Sequence, residues 1–408
     1  MAKNSQLWCM WNMAILVLNL VALFFGIRYV VVKYHDFERH SSEPDYYTFR
    51  RHRYLLASLL LFGGTIITAR YFVPDNGVFH DDGSLGVLTA VFGMVISFII
   101  SLVWAVFVRK LDAFETESWL PIIAVFLMSC VSLFLVFPMS NAINGFGFDL
   151  NGEVWNDFLY CCIGIGAVEE LVKLIPLLII IRFKKIVNEP FDYIVYASVS
   201  ALGFAFVENT LYIQSSELYA INGRALMASV AHMTFTSTIG YSLMIARYSK
   251  LPFKRWYVLG GFVLASAMHG FYDFWLINPT AQSYAALSLL FFLLTIHFWF
   301  TLKQKAINAS FFFDEAFEWN NDRLQYFLIV SLLCIWSVSV IAVGLFHGSQ
   351  NAIDFAYSQA FSYGFLIFYL AFKLTRYKLA PTRFGQVGQR LFESVIPPEP
   401  EIQERETE

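Results

Sequence analysis

Two adjacent glutamates, Glu169 and Glu170, lie within a hydrophobic stretch of membrane length, FLYCCIGIGAVEELVKLIPLLIIIRF. A charged side chain near the centre of a bilayer costs at least about 2.5–3.5 kcal/mol on insertion scales, so intramembrane carboxylates usually mark functional sites. The next three hydrophobic segments contain Glu208, His232 and His269 in turn. Carboxylates and imidazoles on successive helices can transfer protons or bind a metal ion. The set therefore predicts a reaction site inside a membrane.

The composition is that of a polytopic membrane protein. Of 408 residues, 58% are hydrophobic and 14% are charged, and the mean hydropathy is +0.57. Soluble domains carry about 25% charged residues. Neither the net charge of −3 nor any basic run indicates a nucleic-acid partner, so the lipid bilayer is the expected environment.

Windows of about 20 apolar residues predict an all-α fold with eleven membrane spans. The predicted limits are 10–32, 54–73, 86–108, 119–139, 157–182, 193–213, 225–247, 255–277, 283–302, 325–346 and 355–374. Lysine and arginine concentrate in the loops that follow odd-numbered spans and at the start of the C-terminal tail. By the positive-inside rule the N-terminus lies outside and the C-terminus in the cytoplasm.

The four central spans bring their polar residues to similar depths. A helical rise of about 1.5 Å per residue places Glu170, Glu208, His232 and His269 roughly 18 to 24 Å from the predicted cytoplasmic boundary. Helical spacing adds partners, because Lys173 follows the glutamate pair by one turn and Asp273 follows His269 by four residues. Such an aspartate can orient the imidazole.

Two chemistries suit these residues. In the first, Glu208, His232 and His269 bind a divalent metal, with zinc favoured by nitrogen and oxygen donors. One glutamate of the pair would then be a fourth ligand and the other a general base for water. In the second, a carboxylate activates water without a metal, and the histidines stabilise the oxyanion.

The motifs resemble those of the PrsW family of intramembrane proteases, which is distantly related to the CAAX-prenyl-protease and bacteriocin-processing membrane families. GAVEELVKL (166–174) matches an EExxK motif, and FAFVEN (204–209) matches an FxxxEN motif that contains Glu208 and Asn209. His232 and His269 match the two histidine helices. The resemblance covers roughly residues 155–280.

The resemblance implies endoproteolysis of a membrane-anchored protein, such as an anti-sigma factor, in the bacterial cytoplasmic (inner) membrane. The family is described as one of metalloproteases, which implies Zn²⁺ as the cofactor. We expect the catalytic set to comprise eight residues, with the metal on Glu208, His232 and His269: Glu169, Glu170, Lys173, Glu208, Asn209, His232, His269 and Asp273.

The predicted domains follow from the spans and the motifs. Residues 155–280 form a four-helix catalytic core, between a four-helix extension (1–154) and a three-helix extension (281–376). Residues 377–408 form a cytoplasmic tail, and the Glu- and Pro-rich end of this tail is expected to be disordered.

An ion- or proton-coupled membrane transporter is the main alternative, because it would use the same buried carboxylates and histidines. Transporters commonly contain inverted repeats and helices broken by glycine or proline. The sequence has no evident repeat, and only Pro176 interrupts the core spans, so the hydrolase is favoured.

Overall fold

The computed structural model describes residues 45–79, 85–249, 252–314 and 321–376, and all regular elements in these ranges are helical. The α-helices are α1 (Asp45–Tyr71), α2 (Leu85–Leu111), α3 (Trp119–Ser132), α4 (Val136–Gly145), α5 (Val154–Tyr160), α6 (Val168–Ile180), α7 (Asp192–Ser215), α8 (Ile221–Gly223), α9 (Ser229–Tyr248), α10 (Lys254–Ile277), α11 (Ala286–Asn308), α12 (Asn321–His347) and α13 (Ser349–Leu374). Cys161–Ala167 and Arg224–Ala228 are π-helical, and Leu133–Leu135 and Ala281–Tyr284 are 3₁₀ turns.

Six helical segments in the described part of the chain are long and apolar enough to cross a membrane. They are Gly86–Leu111, Trp119–Gly145, Asp192–Ser215, Ala286–Asn308, Arg323–His347 and Ser349–Leu374. Leu56–Tyr71 is a shorter apolar helix. The predicted first span, 10–32, and the predicted tail, 377–408, lie outside the described residues.

The helices that carry most of the polar motif residues, α6, α9 and α10, are not among these six. Helix α6 has only 13 residues, because the π-helical segment precedes it. Every residue of α9 from Ser229 to Tyr241 is buried. A helix enclosed by protein on all sides does not need the apolar surface of a lipid-exposed span, so α9 can carry serines, threonines and a histidine.

The chain divides into two compact units. The first comprises residues 1–93, 212–226 and 325–371, and the second comprises residues 94–211, 227–324 and 372–408. All eight residues of the predicted catalytic set fall in the second unit.

Within the second unit, two glycines allow the π-helical segment to pack backbone to backbone against α10. A Cβ atom on Gly166 would lie 2.4 Å from the carbonyl oxygen of Ser266, and a Cβ atom on Gly270 would lie 2.3 Å from Cα of Cys162. Small residues permit such close approach of helices in membranes. This contact brings the start of α6, with its two glutamates, next to His269 of α10.

Pro176 interrupts the hydrogen bonding of α6 directly after the glutamate pair. Proline has no N–H, so the carbonyl of Val172 loses its usual helical donor. The Ser200 hydroxyl on α7 donates a 2.6 Å hydrogen bond to the neighbouring carbonyl of Lys173. This bond ties α7 to α6 at the carbonyl next to the one that the proline leaves without its helical donor.

Candidate active site

Lys173 lies at the centre of a buried cluster of charged and imidazole groups. Its Nζ is 3.2 Å from Oε2 of Glu169, 2.9 Å from Oε1 of Glu170 and 2.9 Å from Nδ1 of His232. The ammonium also lies 4.3 Å from the centre of the Phe204 ring, which is a favourable cation–π distance. Because the Lys173 side chain is fully buried, this cluster is shielded from water on the lysine side.

Glu170 is also fully buried, and both of its carboxylate oxygens are engaged. Oε1 accepts from Lys173 Nζ and lies 3.0 Å from Nδ1 of His269, and Oε2 accepts a 2.7 Å hydrogen bond from the Thr236 hydroxyl. Thr236 does not stand out in the sequence. The only available signal was its position four residues after His232, which places the two side chains on the same face of α9.

Glu169 has fewer partners and retains 12% exposure of its side chain. In addition to its bond from Lys173, its Oε2 lies 3.5 Å from Nε2 of His269. The two adjacent glutamates therefore differ, since Glu170 is fully buried with three side-chain partners whereas Glu169 is partly exposed.

The contacts of His232 define its tautomer. An ammonium group can only donate, so Nδ1 of His232 accepts the hydrogen bond from Lys173. The proton is therefore on Nε2, which donates to Oε2 of Glu208 at 2.7 Å. Glu208 has 19% side-chain exposure.

His269 is oriented by Glu170 rather than by Asp273 alone. A carboxylate oxygen accepts, so Nδ1 of His269 donates to Oε1 of Glu170 at 3.0 Å. Nε2 lies 3.5 Å from Glu169 and 3.4 Å from Oδ2 of Asp273, and it carries a lone pair only when the imidazole is neutral. Hydrogen bonding of one imidazole nitrogen to a carboxylate is typical of metal-binding histidines.

Asn209 lies next to Glu208 in sequence but has a different environment. It is fully buried, and its Nδ2 donates a 3.0 Å hydrogen bond to the Ser229 hydroxyl at the start of α9. This bond joins α7 to α9 near the residues that carry Glu208 and His232. The side chain therefore positions two helices of the site.

The donor atoms at the site suit a divalent metal. Donor atoms of Glu169, His232 and His269 all lie within 4.8 Å of one another. Metal–ligand bonds of about 2.0–2.2 Å in a tetrahedral zinc site separate neighbouring donors by roughly 3.3 Å. The 3.5 Å between Glu169 and His269 is close to that value, whereas the 2.7 Å between His232 and Glu208 would have to lengthen.

The charges favour a cation as well. Glu169, Glu170 and Glu208 contribute three carboxylates to the cluster, and Lys173 contributes a single ammonium. Buried charges are tolerated when they are paired or coordinate a metal. Two ligand sets are therefore possible, and both contain the two histidines. The predicted set takes its carboxylate from Glu208, whereas the three residues whose donor atoms lie within 4.8 Å take it from Glu169.

Glutamates, histidines and a buried lysine gathered at one site can activate water or bind a metal. Comparison with known proteins shows which family this chain resembles. Residues 117–301 match the family model described as PrsW family intramembrane metalloprotease. The chain is 27% identical to Protease PrsW of Geobacillus kaustophilus over 173 residues, which is 42% of this chain and 74% of that protein. It is 28% identical to Protease PrsW of Clostridioides difficile over 186 residues, covering 44% of this chain and 76% of that protein.

A third relative, Protease PrsW of Bacillus subtilis, is 31% identical over 148 residues, covering 36% of this chain and 66% of that protein. No solved structure matches the chain significantly. Through residues 117–301 the chain belongs to the PrsW family of intramembrane proteases, and it is a multi-pass integral membrane protein and a peptide hydrolase. The match extends beyond residues 155–280 on both sides.

Proposed function

We propose that this protein is an intramembrane endopeptidase that cleaves a membrane-anchored protein by activating water at Glu169. The observation that carries the proposal is the different engagement of the two glutamates. Both oxygens of Glu170 are bonded inside the protein, whereas Glu169 is partly exposed and lies 3.5 Å from His269. A general base must reach a water molecule, so Glu169 suits that role and Glu170 suits the role of holding Lys173 and His269 in place.

In this reaction Glu169 accepts a proton from water as the water oxygen bonds to the peptide carbonyl carbon. The same proton then passes to the peptide nitrogen as the C–N bond breaks, so the carboxylate is regenerated. Lys173 remains beside Glu169 throughout and compensates the carboxylate's negative charge. General base catalysis of this kind contributes about 10²- to 10⁴-fold in rate.

We propose that Glu208, His232 and His269 hold a zinc ion, which would take the place of the Nε2 proton that His232 donates to Glu208. Nε2 of His269 faces the same site and offers a lone pair when the imidazole is neutral. A bound zinc would polarise the peptide carbonyl and make water more acidic. A metal-free form of the reaction is the second candidate. The Nε2–H group of His232 is a hydrogen-bond donor in the observed tautomer, so it could stabilise an oxyanion directly.

The membrane arrangement belongs to the same proposal. We infer eleven spans with the N-terminus outside and the C-terminus in the cytoplasm of the bacterial inner membrane, and an anti-sigma-factor-like substrate. The domain bounds 1–154, 155–280, 281–376 and 377–408 follow from those spans. A green fluorescent protein fused after residue 376 should fluoresce, because it would lie in the cytoplasm. If that fusion is not fluorescent and a phosphatase that works only in the periplasm is active when fused at the same position, the C-terminus lies outside and the proposed topology is wrong.

The proposal is tested by cleavage of single-span membrane proteins in liposomes. The wild-type chain should release a fragment from at least one tagged substrate that carries an extracytoplasmic domain, and Glu169→Gln should lower the rate by about 100-fold or more. Glu217→Gln is the matched control, since Glu217 is exposed and lies outside the site. Folded Glu169→Gln and His232→Ala variants that cleave like the wild type would refute the proposed function.

A further inference from the structure

A second acidic cluster lies in the same compact unit, at the predicted cytoplasmic ends of the helices. Asp112 directly follows α2, Glu189 lies between α6 and α7, and Asp192 is the first residue of α7. Donor atoms of the three carboxylates lie within 4.8 Å of one another. Glu189 and Asp192 are fully buried, and Asp112 is 3% exposed. The catalytic mechanism above uses none of these residues.

Each of these carboxylates has one oxygen fixed by the protein. Oδ2 of Asp192 accepts hydrogen bonds from the backbone amides of Asn188 at 2.7 Å and Glu189 at 2.8 Å. Oε2 of Glu189 accepts from the Ser310 hydroxyl, and Oδ1 of Asp112 accepts a 3.4 Å bond from the backbone amide of Glu115. The carboxylates are therefore held in defined orientations.

The second oxygen of each carboxylate is buried and accepts no hydrogen bond from an amide, hydroxyl or cationic group of the described residues. These atoms are Oδ2 of Asp112, Oε1 of Glu189 and Oδ1 of Asp192. The carboxyl of Asp112 lies within hydrogen-bonding reach of Glu189, and that of Asp192 within reach of Glu117, so each pair can share a proton. The amide oxygen Oδ1 of Asn188 is equally buried and without a donor, and an amide oxygen cannot be satisfied by taking up a proton at neutral pH. Buried unsatisfied acceptors of this kind call for a cation, a donor or water.

No lysine or arginine in the described ranges forms an ion pair with these three carboxylates. Arg109, three residues before Asp112, directs its Nε to the backbone carbonyl of Glu117 at 2.6 Å. Glu117 itself accepts a 2.5 Å hydrogen bond from the Tyr196 hydroxyl, and Asn188 donates to Glu115, so two further carboxylates lie beside the cluster. These carboxyl groups cannot all be ionised in a buried site unless a cation compensates their charge.

We propose that Asp112, Glu189 and Asp192 bind a hard divalent cation of the Ca²⁺ or Mg²⁺ class at the cytoplasmic end of the helices. The donors are all oxygens, which suit these cations and do not suit zinc. The site is separate from the catalytic cluster, because sixteen helical residues between Asp192 and Glu208 span roughly 24 Å. The bound cation would join the ends of α2 and α7 and the connection between α6 and α7.

Protons are the competing occupants of these oxygens. Burial and the neighbouring charge of Glu189 raise the pKa of Asp112 to about 9, and burial raises the pKa of Glu189 to about 7. Protonated carboxyls would relieve the repulsion between these groups without a metal. A divalent cation that binds here must displace these protons. Cation binding and protonation are therefore distinguishable, because only a site that binds the cation takes it up from solution.

The test is equilibrium dialysis of radioactive Ca²⁺ against the full chain in detergent at pH 8, after removal of metals with a chelator. The wild type and Asp149→Asn, an exposed acid changed in the same way, should each bind about one Ca²⁺ that excess Mg²⁺ displaces. Asp192→Asn and Glu189→Gln should bind at least about tenfold more weakly, because each loses a charged ligand.

Absence of Ca²⁺ and Mg²⁺ binding to the wild type, or unchanged binding in Asp192→Asn, would overturn the proposal in favour of protons. The His232→Ala/His269→Ala variant should keep its Ca²⁺, and loss there would place the ion at the catalytic cluster and also overturn the proposal. If the acidic variants fail to fold, the melting temperature of the wild type is measured at increasing Ca²⁺ concentrations. Binding at the proposed site should raise this temperature, and an unchanged temperature would contradict the proposal.

Discussion

The polar residues of the catalytic cluster differ in how completely their atoms are engaged, and this difference suggests a division of tasks. Glu170, Lys173 and His232 each make at least two polar contacts within the protein. The side chains of Glu169 and Glu208 are partly exposed. The fully engaged residues are suited to fixing geometry, and the accessible carboxylates are suited to handling a proton or a metal.

Thr236 should affect catalysis through Glu170. Thr236→Val keeps the side-chain volume but removes the donor to a buried carboxylate, a bond worth about 1.5–3 kcal/mol. We expect kcat to fall about 10- to 100-fold, with KM little changed and with partial recovery in Thr236→Ser. The measurement is the rate of fragment release from a liposome-embedded substrate.

Thr238→Val provides the matched control for Thr236→Val. Thr238 is a buried threonine on the same helix, and its hydroxyl donates to the backbone carbonyl of Thr234 rather than to a carboxylate. Its replacement should leave kcat within about twofold. Equal losses in both variants would show that α9 tolerates neither change and that Thr236 has no particular role.

The carboxylate ligand can be identified from metal content. Glu208→Gln should lower the zinc affinity at least about tenfold, whereas Glu169→Gln should retain zinc and lose activity. Mass spectrometry of detergent-purified protein, with Glu217→Gln beside the two variants, measures this directly. Retention of zinc by Glu208→Gln together with its loss in Glu169→Gln would transfer the ligand role to Glu169.

Sequence spacing alone indicated most of the residues that the structure brings together. Carboxylates, histidines and a lysine are expensive in a hydrophobic segment, so each of them stands out against its surroundings. Thr236 could not be recognised in this way, because a hydroxyl costs little in a membrane helix when it can bond to its own backbone. The tautomers of His232 and His269 depend on contacts between helices and were equally inaccessible from the sequence.

Secondary structure elements position the site through one unusually close contact. The predicted span 157–182 consists of α5, a π-helical segment and α6, rather than one uninterrupted helix. Hydropathy reports the length of an apolar stretch but not its hydrogen-bonding pattern, so the π-helical segment could not be predicted. Segments of this type occur frequently at functional sites, and this one ends two residues before Glu169.

Gly270→Ala should disrupt the site without changing any polar group. The new Cβ would meet backbone atoms of Cys161 and Cys162 at 2.3–2.5 Å, and a backbone cannot rotate away as a side chain can. The helix α10 must shift, which moves His269 away from Glu170. We expect activity to fall at least about 100-fold, since misplacement by about 1 Å can have that effect.

Gly260→Ala tests whether the loss arises from the close contact. Gly260 lies on the same helix, and a Cβ added there would meet no atom within 4 Å among the described residues, so an alanine should be neutral or slightly stabilising. The readouts are cleavage rate and monodispersity in detergent. Full activity in Gly270→Ala would mean that the helices can separate without affecting the site.

At the scale of the whole molecule, the helices that qualify as membrane spans are mostly not the helices that carry the site. Six helical segments of the described chain satisfy the requirements of a membrane span, and α6, α9 and α10 do not. The sequence predicted these three as spans because their windows are still largely apolar. It could not show that α9 is buried along most of its length, since burial depends on which helices surround it.

The stability of the whole chain should depend on pH through the second acidic cluster. The pKa of Asp112 is raised to about 9 and that of Glu189 to about 7, both above their unfolded values of 3.8 and 4.5. The folded protein therefore retains protons that the unfolded chain has released. Stability from this source is fully present below about pH 4 and is lost as pH rises through about 7 to 9.

In chelator, the melting temperature should therefore fall between about pH 6 and pH 9, and Asp112→Asn should flatten this slope because its amide does not titrate. Arg109, Glu115, Glu117, Glu189 and Asp192 remain in that variant, so the comparison isolates one carboxyl. Identical slopes for the wild type and Asp112→Asn would contradict the assignment of the pH dependence to this group.

The position of Lys173 between two carboxylates constrains how the lineage of this protein can change. Replacing Lys173 alone leaves Glu169 and Glu170 without their cation, and removing one partner of a buried ion pair is destabilising by about 3–5 kcal/mol. Replacing one glutamate leaves the lysine paired with the other. Substitutions at these three positions are thus epistatic, and a gene copy that decays under relaxed selection should lose one glutamate before it loses the lysine or the second glutamate.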